Sequence, residues 1–352
     1  MQTLFNIINI PLGYIMRFFA DIFSNDFAAA VAVFTLLINV ILIPLSIKSQ
    51  KSSVQQMRIK PKLDELRKKY GDDRQKMAMA QQELFQQEGV SMSGGCLPMI
   101  IRLVLMMSIY WLIMSPFTYM AGAEEKNINN IYNTIVAVKS EDEDLYKEYI
   151  DALGWDKVTT NNKELAIIGN LREDGNIFEE VLSEETYAKI KTDVEALVEI
   201  DNNEETHINF NLFGNKNLDL TKTPKFSFNI FKEAQLLWLI PFGAFLAQIL
   251  TSLISMRVNK INNPDAPSMM GMMLTMPLIS LFIGFGLPAG VGFYWICSSL
   301  IGGLIQSGVQ LWYGPQKLLA RERAKELGTQ CDFEAKQLNK FNNTDSQSII
   351  KD

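Results

Sequence analysis

Five stretches of this chain are long and apolar enough to cross a bilayer: 27–47, 97–119, 234–256, 269–286 and 288–312. Crossing hydrocarbon takes about 20 apolar residues in a helix. Because lipid offers no hydrogen-bond partners, each such run has to bond its own backbone, which makes it helical. The fold this predicts is an all-α polytopic membrane protein. An overall makeup of 48% hydrophobic and 20% charged residues therefore averages over very apolar and very polar segments.

Within 97–119 stands one cation, Arg102, between Leu97-Pro98-Met99-Ile100-Ile101 and Leu103-Val104-Leu105-Met106-Met107. No opposite charge lies within a helical turn of it. A charge placed in a membrane helix costs about 2.5–3.5 kcal/mol on insertion scales, so such residues usually face a polar cavity, a partner or a substrate route. The other reading is snorkelling: Arg102 lies roughly 7 Å from the start of the run at 1.5 Å per residue, and a long side chain nearly covers that distance. The residue alone leaves both open.

The polar segments sort by charge. Residues 48–94 carry ten Lys or Arg against six Asp or Glu. They read as a helical hairpin turning at Gly71-Asp72, with Leu63, Leu66 and Tyr70 facing Met77 and Leu84, and the basic excess marks it as cytoplasmic. Residues 120–230 are rich in carboxylates, including Glu141-Asp142-Glu143-Asp144. This is predicted to be an extracytoplasmic insert with helices near 128–138, 143–153 and 184–198. Arg257 and Lys260 put the end of the third run inside, a loop 257–268 follows, and a basic tail, 313–352, ends the chain on the same side. Ahead of the first run, residues 1–26 hold Leu12, Ile15, Met16, Phe19 and Phe23 at helical spacing, with Arg17 and Asp21 on another face and Pro11 near the first turn. That pattern predicts an interfacial amphipathic helix. No cleavable signal is expected, since the first 23 residues lack a basic start, an unbroken apolar run and a small-residue cleavage site. Five crossings then run amino terminus out, carboxyl terminus in.

Composition argues against several classes. The cysteines Cys96, Cys297 and Cys331 fall in or beside the apolar runs or in the tail, so no disulfide framework is implied. The single histidine, His207, has no metal-ligand neighbours and reads as a surface residue. No calcium-loop spacing appears among the carboxylates. The apolar runs contain no His, Asp or Glu, and no Ser is accompanied by a recognisable base, so neither an enzyme, a metal nor a cofactor is expected. Thr35 and Asn39, four residues apart, share a helix face, as do Gln248, Thr251, Ser252 and Ser255 at spacings of three and four. Helix-to-helix hydrogen bonding is the plainest use of such residues.

An ordered set of short motifs resembles the YidC/Oxa/Alb family of membrane protein insertases. It comprises Pro11-Leu12, Thr35 with Ile43-Pro44-Leu45, Lys60-Pro61-Lys62-Leu63, Gly95-Cys96-Leu97-Pro98, Asn211-Leu212-Phe213-Gly214 with Leu218-Asp219-Leu220, Met276-Pro277-Leu278, and Phe285-Gly286-Leu287-Pro288-Ala289-Gly290 with Tyr294-Trp295. Together these fall in four of the five runs, in the hairpin and at the end of the insert, leaving most of the acidic insert and the tail unmatched. The form looks like the compact insertases of Gram-positive bacteria. The resemblance implies five transmembrane helices around a hydrophilic groove, open to the cytoplasm and sideways to lipid, in the bacterial plasma membrane. In bacterial members an arginine usually occupies the position of Asn39 and a glutamine that of Arg102. Here the two polarities stand exchanged, which implies a groove cation moved between adjacent helices.

On that resemblance Arg102 is the expected recruiter of acidic segments, with Thr35, Asn39, Gln248 and Ser298 as hydrating groups. Leu246 and Ile296 are expected on a lateral sliding surface. The implied partners are nascent membrane proteins and the lipid bilayer, with the Sec translocon and the ribosome as further partners through the hairpin and tail. Two other classes compete: a small-anion transporter, which would also use a buried arginine but usually shows an inverted repeat absent here, and a non-catalytic scaffold for translocon assembly.

Overall fold

A computed structural model of the chain describes residues 2–71, 73–89, 97–171, 176–224, 235–262 and 270–349. Among them the regular elements are helices, and the β contacts are two isolated bridges. In chain order come α1 (Gln2–Ile22), α2 (Phe27–Ile41), α3 (Ile43–Tyr70), α4 (Arg74–Gln87) and α5 (Leu97–Met114), which continues past Ser115 as a π-helical turn, Phe117–Ala121. The insert supplies α6 (Glu125–Glu141), α7 (Glu143–Leu153), α8 (Lys163–Leu171), α9 (Ile177–Val181) and α10 (Glu184–Asn202). Then follow α11 (Leu239–Asn262), α12 (Met270–Gly284), α13 (Ala289–Cys297), a second π-helical turn at Ser298–Gly302, α14 (Gly303–Tyr313) and α15 (Pro315–Ile349). Gly95 and Cys96 of the motif opening the second apolar run, and residues 263–268 of the expected cytoplasmic loop, lie outside the described residues.

By length and composition, two helical runs among the described residues can cross a membrane, Leu236–Lys260 and Ala289–Leu338. They become three if Phe27–Ile41 and Ile43–Gln55, broken at Leu42, count as one. Ile100–Met114 and Thr275–Gly284 are apolar but shorter. Pro44 explains the break: it has no N–H for the carbonyl of Val40, four residues back, and its ring crowds that carbonyl. In the first turn of α3 the missing N–H costs that helix little.

The chain divides into two compact units. The first holds Met1–Ile41, Ile100–Ser255 and Ser268–Ile305. Its insert is built on helices whose ends are written in the sequence. Asp142 caps α7 by accepting from the N–H groups of Asp144 and Leu145, Gly154 closes it at φ 67°, and Ser183 caps α10 through the N–H of Thr186. Ile128, Ile131 and Ile135 of α6 bury one stripe, joined by Tyr149 of α7, Ile167 and Ile168 of α8, Phe178 of α9 and Ile190 and Val194 of α10. Trp155 packs edge-on to Phe178, ring centres 6.0 Å apart.

From this insert the chain returns as a belt, residues 208–222, that ties down the starts of two apolar helices. Phe27 N–H donates to Asn209 C=O at 2.9 Å where α2 begins, and Gly290 N–H donates to Leu220 C=O at 2.8 Å where α13 begins. The rings of Phe27 and Phe210 pack against one another at a tilt, centres 4.7 Å apart.

Helix α1 departs from expectation at two points. It starts well before Pro11, which sits mid-helix; the carbonyl it leaves unbonded is that of Ile7, an exposed residue, so the loss is small there. Arg17 is buried rather than on a solvated face: it pairs with Asp21 at 2.7 Å and donates to the carbonyls of Glu205, Thr206 and His207. His207 keeps 42% of its side chain exposed, with its Nδ1 2.8 Å from the carbonyl of Asp201.

The second unit holds Leu42–Met99, Met256–Pro267 and Gln306–Asp352. Helices α3 and α4 reverse between Gly71 and Asp73, with Asp73 capping α4 through the N–H groups of Gln75 and Lys76. Leu63, Leu66, Tyr70, Met77 and Leu84 are half-buried, and Lys62 pairs with Glu88 near the open end. Helix α15 lies on α3, where Arg58 pairs with Glu322 at 2.7 Å.

Candidate functional site

All seven residues singled out for the groove and the sliding surface fall in the first unit. Arg102 sits in the second turn of α5, exposed on a helix whose other outward residues include Ile100, Leu103 and Met106. Tyr294 of α13 is buried, and Ser298 opens the π-helical turn that follows that helix. No acidic side chain occurs anywhere in 27–47, 97–119, 234–256, 269–286 or 288–312.

Asn39 occupies a neighbouring position through a different contact. Its Nδ2 donates to the carbonyl of Thr35 at 2.8 Å, and its Oδ1 lies where Gly302 comes close: a Cβ at Gly302 would stand 3.0 Å from that oxygen. Gly303 does the same to α11, since a Cβ there would be 2.7 Å from Thr251 Cγ2. The π-helical turn Ser298–Gly302 and the glycine pair therefore let α13 and its continuation approach α2 and α11 at backbone distance. π-bulges occur frequently at functional sites.

The other residues divide. Thr35 is buried, and its hydroxyl donates to the carbonyl of Val31 at 2.6 Å, so that donor is satisfied inside α2. Gln248 turns to α12, its Oε1 accepting from Ser280 at 2.9 Å. Leu246 is 62% exposed on α11, while Ile296 is half-buried over Gly243 of the same helix, whose added Cβ would be 3.1 Å from Ile296 Cδ1. A separate cavity of about 670 Å³, lined by Trp155, Asn162, Thr221 and Leu237 among others, contains none of these residues.

Comparison with known proteins covers part of this site. Residues 18–166, which include Thr35, Asn39 and Arg102, match the family model described as "60Kd inner membrane protein". Among curated relatives, the membrane protein insertase YidC of Shewanella sp. (strain ANA-3) is 35% identical over 109 residues, 31% of this chain and 20% of the relative. That of Shewanella woodyi is 38% identical over 106 residues, 30% of this chain and 19% of the relative. The chain aligns with about a fifth of the length of the relatives it matches.

Proposed function

Because the chain belongs to the YidC/Oxa/Alb family, we propose that it is a membrane protein insertase working through a hydrated groove with Arg102 on its wall. The observation that supports this reading is Arg102 itself, a cation on α5 in a set of helices with no acidic residue of their own. An intramembrane cation of this kind normally faces a bundle interior or a wet cavity.

The physical task is to carry a short polar segment past hydrocarbon while the apolar helix attached to it moves into lipid. A groove reaching part of the way shortens the dry path. A cation in it attracts carboxylates of the passing segment, more strongly where water is scarce. Because an ion pair in wet surroundings is weak, capture stays reversible. Asn39 hydrogen-bonds without neutralising the cation, Ser298 and Gln248 hydrate the passing segment, and Thr35 lines the wall through its backbone carbonyl and Asn39. Leu246, exposed on α11, and Ile296 offer the incoming helix an apolar surface leading to lipid.

In this reading five helices cross the bacterial plasma membrane with the amino terminus outside, the insert outside, and the α3–α4 hairpin and α15 in the cytoplasm. Nascent membrane proteins are the clients, received at the hairpin. The Sec translocon and the ribosome are proposed partners on the cytoplasmic side.

The test is reconstitution into liposomes with a single-span substrate bearing an acidic translocated tail. Arg102→Gln is expected to lose insertion of that substrate, and the double exchange Asn39→Arg with Arg102→Gln to recover it. Full activity of Arg102→Gln would remove the recruiter role.

A further inference from the structure

The break at the far end of α5 from Arg102 leaves backbone groups that need partners. Helix α5 stops at Met114, Pro116 has no N–H to give, and the chain restarts as the turn Phe117–Ala121. The N–H groups at the head of that turn are orphans of the kind found at any helix start. They are met from the insert. Glu164, in the first turn of α8, accepts from Thr118 N–H at 3.0 Å through one oxygen and from Thr118 Oγ1 at 2.7 Å through the other. Its side chain is buried, only 4% of the residue being exposed.

The same turn is gripped from its other side by α1. A Cβ on Gly13 would lie 2.2 Å from the carbonyl oxygen of Tyr119, so only glycine fits there, and Tyr119 Oη donates to Asn6 Oδ1 at 2.8 Å. The turn therefore joins three parts of the first unit: α1, the end of α5 and the insert.

We propose that Glu164 is a proton-binding clasp fastening the insert to the end of α5, tight while its carboxyl holds a proton and loosened when the O–H bond breaks and the proton leaves to water. Among the described residues no ion pair neutralises this carboxyl. The titratable or charged groups around it are Tyr119 on the turn, Glu125 at the head of α6, and its neighbour Lys163. Lys163 is engaged elsewhere, bonded to Asn129 and lying over the ring of Tyr132. An ionised Glu164 is thus shut away from water with hydrogen-bond donors but no countercharge, and an added Glu125 charge only opposes it.

Burial accordingly pushes the Glu164 carboxyl up from an ordinary 4.5 to about 7, its hydrogen-bond donors pulling the other way but less strongly. The docked state then binds the proton more tightly than an undocked state with an ordinary carboxyl. Its advantage is complete below pH about 4.5 and is lost as pH rises through about 7. Over that interval the ratio of docked to undocked insert falls by up to roughly 300-fold. That the governing pH is that of the cell exterior rests on the orientation proposed above; the clasp itself does not.

The experiment uses the full-length protein in detergent micelles, where neither orientation nor insertion enters. Infrared difference titration should show a protonated carboxyl disappearing with a midpoint near pH 7, absent from Glu164→Gln. In Thr118→Val, which removes a donor favouring the charged form, the midpoint should move up. Hydrogen exchange of the peptide 115–121, compared with Glu164→Gln at each pH, should lose its relative protection as pH passes the midpoint. A carboxyl titrating near 4.5, or protection that follows the same pH course in both proteins, would overturn the proposal. Either result would leave the insertase reading standing, just as inactivity in liposomes would leave the clasp untouched.

Discussion

The insert and the apolar helices of the first unit are patterned in opposite senses. In α6 and α10 the isoleucines, leucines and valines turn inward while Lys, Asp and Glu face out. In α5, α11 and α12 many large apolar residues face out instead, among them Leu103, Leu239, Leu246 and Phe282, although Leu112 and Ile113 of α5 and Ile240 of α11 are buried; Ser108 is fully buried and Ser280 turns to Gln248. A helix surface that is apolar on the outside is a surface meant for lipid. The two patterns stand within one compact unit, where the belt 208–222 ties down the starts of α2 and α13.

Breaking the insert's core should have the largest effect. Phe178→Ala removes a fully buried ring and is expected to cost about 3–5 kcal/mol of insert stability, read as proteolysis within 125–202 while the apolar helices stay protected. The outward faces should respond to charge rather than to size. Leu246→Asp is expected to cost about 2.5–3.5 kcal/mol on insertion scales, whereas Leu246→Ala, which opens no internal cavity, should leave thermal stability within about 0.5 kcal/mol. If Leu246→Ala destabilises as a core residue would, the lipid-facing assignment fails.

Arg17 sits where the two patterns meet, and Arg17→Met strands several carbonyls of the 205–207 turn. We expect a loss of about 1.5–3 kcal/mol, visible as faster hydrogen exchange at 204–209. The smallest effect belongs to a cap at the surface: Asp142→Ala should cost about 1 kcal/mol through fraying of α7. This is measurable as a lower unfolding midpoint of the insert.

Much of the insert is legible in the sequence because its helix ends are chemical. The expected helix 143–153 agrees with α7 at both ends, since Asp142 and Gly154 fix the start and stop. Helices α8 and α9 escape such reading: they are short, and Glu164 is a charged residue on the buried side, against the usual pattern. Helix α1 is cut short because Pro11 reads as a start, and its place mid-helix depends on the exposed carbonyl of Ile7 that no local pattern displays. At the candidate site, Arg102 stands out as a charge in an apolar run. The close approach of Gly302 to Asn39 is non-local and leaves no mark in either run. The π-helical turns have no sequence signature either, because packing against α1 and α2 holds them.

The belt also imposes an order in time. The bond between Phe27 and Asn209 that finishes the start of α2 joins residues about 180 apart, and a ribosome adding about 5–20 residues per second needs on the order of ten to forty seconds to make the interval. For all that time the head of the first apolar helix is unfinished. Gly290 then completes the second tie only after α11 and α12 have been made. Assembly of the apolar helices is thus gated by the polar insert made between them, and a stall anywhere in residues 120–210 should leave a first helix that is in place but unlatched.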